Sequence, residues 1–149
     1  MDRNEADAAL ASARLSERKL ADRAHWPLWR HAAFGALEAL IVVGIGAPIG
    51  VFAACLVLAC VGLWWIMQGD RRRDGFFVSG FSSRAALPAT FLACLVVLAG
   101  VFAIVLTGGL HLWTPLTPVV AGFVFLGCAL SSIWWERLYR KDLLSGGVQ

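Results

Sequence analysis

Four apolar runs, each close to the length needed to cross a bilayer, constrain this chain more than any other feature. They cover approximately residues 28–46, 51–67, 86–107 and 116–135. About 20 residues of helix span the ~30 Å hydrocarbon layer, and backbone polar groups inside it must be satisfied within the segment. The expected fold is therefore an all-α membrane protein of four transmembrane helices arranged as two hairpins. Composition agrees: 59% of the residues are hydrophobic and 15% charged, and mean hydropathy is +0.72. A soluble domain carries about 25% charged residues and would have to hide far more apolar surface than a chain this short can.

The remaining segments divide the chain. Residues 1–26 form a charged segment rich in Ala, Leu, Glu and Arg with no Gly or Pro before Pro27, which predicts a cytoplasmic or interfacial helix. It lacks the short basic start and immediate apolar core of a secretory signal. The transmembrane domain is expected over 27–136, broken by a basic loop at 68–85, and 137–149 reads as a tail. Pro27 suits the first turn of a helix. The tryptophans Trp26, Trp29, Trp64, Trp65, Trp113, Trp134 and Trp135 all fall at span ends, where a headgroup-level aromatic belt is expected.

Charge placement predicts orientation. Of the 13 Lys and Arg residues, six lie at or before Arg30, four in the central loop and three after Glu136. The turns after the first and third spans contain none. Basic residues flanking spans stay on the cytoplasmic side, so both termini and the loop are expected to face the cytoplasm of a bacterial inner membrane. An even number of crossings is required. That requirement supports the first span, the weakest, which carries Arg30, His31 and Glu38; Arg30 can snorkel to the headgroups.

Few residues suggest chemistry. Glu38 lies about ten residues into its span, roughly 15 Å deep, where an ionisable side chain needs a partner. With no Lys or Arg inside another span, it is expected to be mostly protonated. Its candidate partners are Thr90, Thr107, Ser131, Ser132, a backbone carbonyl or Glu38 of another subunit; Arg30 and His31 are too far along the helix. A structural hydrogen bond is the plainer use, and a proton- or cation-coupled site the sharper one. Arg71, Arg72, Arg73 and Arg84, set around Phe76, Phe77 and Phe81, could hold acidic lipid or a protein partner, or could act only as topology determinants. Three adjacent arginines are too small a footprint for nucleic acid.

Cys55, Cys60, Cys94 and Cys128 are scattered singly and read as packing residues, so no metal or cofactor is expected. No H-E-x-x-H, G-x-S-x-G or phosphate-cradling loop is present, and no enzyme activity is expected. Pro48 and Pro118 precede Trp64-Trp65 and Trp134-Trp135 by sixteen residues, an internal correspondence at an offset of 70. A parallel repeat or two helices meeting one bilayer alike would both produce it. Small residues recur four apart at Gly35/Ala39, Cys55/Ala59, Ala99/Ala103, Gly127/Ser131 and Cys128/Ser132, which permits close helix approach.

The charged N-terminal helix and the Trp26-Pro27-Leu28-Trp29 entry resemble those of small uncharacterised bacterial four-helix inner-membrane proteins. That likeness covers residues 10–45 and implies no activity. A single Glu in the first of four spans is similar to small multidrug resistance transporters, which are shorter and lack the N-terminal extension and the charge bias. Two functions are therefore expected to compete. One is a non-catalytic accessory or assembly subunit acting through protein or lipid partners, or as a homo-oligomer. The other is a small oligomeric transporter or channel using Glu38.

Overall fold

The computed structural model describes residues 25–74, 81, 83–107 and 114–145, together with residues 5, 8, 9, 11, 12 and 15. Among the described residues the fold is all-α, with four long helices and no strand. They are α1 (Leu28–Ile45), α2 (Ile49–Asp74), α3 (Leu87–Leu106) and α4 (Leu116–Leu144), and all four are long and apolar enough to cross a membrane. The helix expected over 1–26 falls mostly outside the described residues, as do Trp113, His111 and the Phe76–Phe77 stretch.

Each helix starts where local chemistry allows. Pro27, extended at φ −68° and ψ 148°, precedes α1, and Pro88 sits in the first turn of α3, where its missing N–H costs nothing. The turn at 46–48 is shorter than expected, because Ile49 and Gly50 are already helical. At the other end α2 and α4 outrun the apolar runs. With 26 and 29 residues they are about 39 and 44 Å long. The segment from Gln68 to Asp74, expected in the loop, is the last part of α2. Likewise α4 continues through Glu136 to Leu144, well beyond the expected span end at Trp135.

Helix α1 is the hub. It packs against α4, α2 and α3, and α4 also packs against α3; α2 has no comparable interface with α3 or α4. Small residues make the α1–α4 contact possible. Gly35 faces the backbone carbonyl of Phe125 and the side chain of Ala129, leaving no room for a Cβ. Gly100 of α3 likewise admits Val124 and Val42. Around these contacts Ala39, Val42, Ile104, Val120, Val124 and Cys128 form the core. Lipid is as apolar as these side chains, so close packing and polar ties, rather than water exclusion, hold the helices together.

Candidate functional site

The polar ties gather at one end of the bundle, where α1 and α3 begin and α2 and α4 finish. Arg30, one turn into α1, meets Asp70 in the last part of α2. Its Nε lies 3.0 Å from both carboxylate oxygens and its Nη2 2.7 Å from Oδ2. Both side chains are largely buried (13% and 10% exposed), which makes this a desolvated fork rather than a surface pair. The guanidinium also stands 4.0 Å over the Trp26 ring, a cation–π contact.

Next along α1, His31 joins α4. Its Nε2 lies 2.9 Å from Glu136 Oε2, and its Nδ1 lies 2.8 Å from Ser132 Oγ. The other Glu136 oxygen, Oε1, is 3.0 Å from His25 Nδ1. The consistent assignment has both imidazoles donating to the carboxylate while the Ser132 hydroxyl donates to His31 Nδ1. His31 is 2% exposed and Glu136 6%. The α3 entry is fastened here too, since buried Ser83 donates to Asp142 Oδ2 at 2.9 Å.

Stacked rings cover this cluster. Trp26 and Trp135 lie 5.6 Å apart, and Trp135 and Tyr139 5.0 Å. The aromatic belt expected from sequence therefore divides. Trp29, Trp64, Trp65 and Trp134 are exposed as a belt requires, whereas Trp26 and Trp135 turn inward and are buried. These two rings face protein instead, packed with Ala86 and Ala89.

Ser132, His31 and Glu136 have the connectivity of a nucleophile, a base and an orienting acid. Ser132 lies in the interior of α4, where the neighbouring backbone N–H groups are used by the helix ladder and cannot form an oxyanion hole. Among the described residues no group of three or more His, Cys, Asp or Glu side chains could hold a metal ion.

The sequence-derived candidates sit elsewhere. Glu38 is half-buried on α1 and has no hydrogen bond or ion pair among the described residues. Two of its expected partners are committed to other groups. Ser132 serves His31, and Thr107 donates to the carbonyls of Ala103 and Ile104. Arg71 and Arg72 are exposed on α2, and Arg84 is exposed just before α3. Arg73 is helical, and its side chain lies outside the described residues. Arg71, Arg72 and Arg84 all stay outside the buried cluster.

Sequence reasoning passed over Asp70, Ser83, Glu136, His25, His31 and Asp142 as site residues and weighed Ser132 only as a partner of Glu38. A signal was present: the two acids closing the second and fourth apolar runs, Asp70 and Glu136, face the bases opening the first once the crossings are counted. With this geometry in view, comparison with known proteins adds no relative: no family model, no curated protein and no solved structure matches the chain.

Proposed function

We propose that this chain is a non-catalytic membrane subunit that acts by binding protein or lipid partners, as an accessory or assembly component. Its four helices form two hairpins in a bacterial inner membrane, with both termini and the basic loop in the cytoplasm. Supporting that orientation, Arg30, Arg71, Arg72, Arg84, Arg137, Arg140 and Lys141 all flank the end of the bundle where the ion pairs gather, and the turn at 46–48 carries no charge.

The observation that carries the reading is Glu38. A half-buried carboxyl near mid-membrane, left without a hydrogen-bond or ion-pair partner among the described residues, calls for a donor from another helix. A photo-reactive side chain at Ile41, one turn further along α1, is expected to give adducts with a second chain in native membranes. Glu38→Leu should abolish them. A monomer that stays stable alone and captures nothing would overturn the proposal. The non-catalytic part is tested separately: a fluorophosphonate probe should leave Ser132 unlabelled, and labelling that disappears in Ser132→Ala would contradict it.

The same unpartnered Glu38 also supports a second reading, an oligomeric transporter or channel with a proton or cation site in the bilayer. Glu38→Gln with unchanged flux in proteoliposomes would remove it.

A further inference from the structure

Beneath the stacked tryptophans lies a partly open cavity of about 260 Å³, bounded by all four helices. Its walls are mostly apolar, with Phe34, Leu63 and Ala93 among them. Two polar atoms on residues that line it, Trp26 Nε1 and Ser131 Oγ, are buried and have no hydrogen-bond partner among the described residues. Those residues are only 5% and 2% exposed. Leaving such groups unsatisfied costs about 1–3 kcal/mol each. The other polar groups nearby are engaged, Arg30 with Asp70 and Ser132 with His31.

The two orphans have a chemistry in common: an indole N–H can only donate, and a hydroxyl can donate. What is missing is an acceptor. Water fits poorly, because a buried water needs two to four polar partners and most of this wall offers none. The location narrows the choice. From the level of Arg30 and Trp135 the cavity runs four residues inward to Phe34 and Ser131, about 6 Å along the helices. With Arg30 and the Trp belt set at the headgroups, that depth corresponds to the boundary between headgroups and acyl chains. Among the described residues the side between α2 and α3 is uncovered as well, because these helices, which both line the cavity, have no substantial interface with each other.

We propose that this cavity is a binding site for one diacyl glycerolipid from the adjoining leaflet. Its ester carbonyls accept from Trp26 Nε1–H and Ser131 Oγ–H, and its upper acyl chain fills the apolar part. The proposal rests on the membrane-spanning architecture and is independent of Glu38 and its partner.

The test uses the full-length protein in detergent, titrated with dimyristoyl phosphatidylglycerol and, separately, with its diether analogue, which keeps the headgroup and chains but lacks the carbonyls. Native mass spectrometry reads bound lipid. The diester should bind saturably at one per chain, and the diether about three- to tenfold more weakly or worse. Trp26→Phe keeps the ring stack and removes the N–H; Ser131→Ala removes the hydroxyl. Each should weaken diester binding about three- to tenfold and leave diether binding unchanged. Ala93→Phe, which fills the cavity from α3, should abolish binding of both while the protein still melts cooperatively. Equal binding of diester and diether, or diester binding that neither Trp26→Phe nor Ser131→Ala weakens, would overturn the proposal. Adducts lost at Ile41 with lipid binding intact would defeat the partner reading alone.

Discussion

Helices α2 and α4 match each other in sequence and differ in what they do. Each has a proline near its start, at Pro48 or Pro118, and a Trp pair sixteen residues on. Yet α4 packs on both α1 and α3, and a third of its apolar window (33%) is buried, whereas α2 leans mainly on α1 with 11% buried. The difference follows from the positions facing inward. Where α4 has Ser131, Ser132 and Glu136, the residues seventy positions earlier in α2 are Val61, Gly62 and Ile66. Lipid solvates apolar side chains as well as protein does, so a helix lacking polar ties has little to pull it inward. Trp135 is drawn over the His31–Glu136 cluster, while its counterpart Trp65 remains exposed. Among the described residues, Asp70, at the far end of α2, supplies the equivalent tether.

Removing the α4 tether should cost most. Glu136→Ala strips the carboxylate from two imidazoles, one of them 2% exposed. Two hydrogen bonds to a buried carboxylate, at about 1.5–3 kcal/mol each and one of them from an exposed imidazole, are worth about 3–5 kcal/mol together. Equilibrium unfolding in mixed micelles should show a loss in that range, and Glu136→Gln a smaller one. A loss under about 1 kcal/mol would mean that packing alone holds α1 to α4. Asp70→Ala should cost less, about 2–3 kcal/mol, since the freed Arg30 can move towards headgroups. Its effect should be local: spin-label distances between α2 and α4 should broaden, while those between α1 and α4 keep their width. Broadening of both would show that α2 supports the bundle after all.

These ties also mark where the sequence was readable and where it was not. An apolar run of about 20 residues specifies a bilayer crossing without reference to any neighbour, so the four helices were legible. Their ends were less so. The Gln68–Asp74 and Glu136–Leu144 stretches stay helical after hydropathy falls, because Arg, Gln, Glu and Leu remain good helix formers. Asp70 and Glu136 consequently looked like solvated loop and tail residues. Their partners lie 40 and 105 residues away, and no local pattern records such pairings. Nor does alternation along the chain say which Trp faces inward: Trp26 and Trp29 stand at the same level, and only the packed cluster distinguishes them. Glu38 was legible as an anomaly because its cost depends on depth alone.

The smallest effects give the finest version of the comparison, since they ask whether a helix face touches protein or lipid. Gly35 of α1 meets the Phe125 carbonyl and Ala129 of α4, and a Cβ there would collide with backbone that cannot swing aside. A Cβ on Gly69, near the end of α2, would meet nothing within 4 Å among the described residues beyond its own helix. Alanine is intrinsically the better helix former by about 1 kcal/mol, so the same substitution should carry opposite signs at the two sites. Gly35→Ala should destabilise by about 1–3 kcal/mol through overpacking. Gly69→Ala should be neutral or stabilise by up to about 1 kcal/mol. Unfolding midpoints of the two variants, measured in the same micelles, provide the check. If Gly69→Ala also destabilised the protein, the last turns of α2 would have to be covered by another chain or by residues outside the described ones, and the contrast between a tethered α4 and a lipid-facing α2 would not extend to that end of the helix.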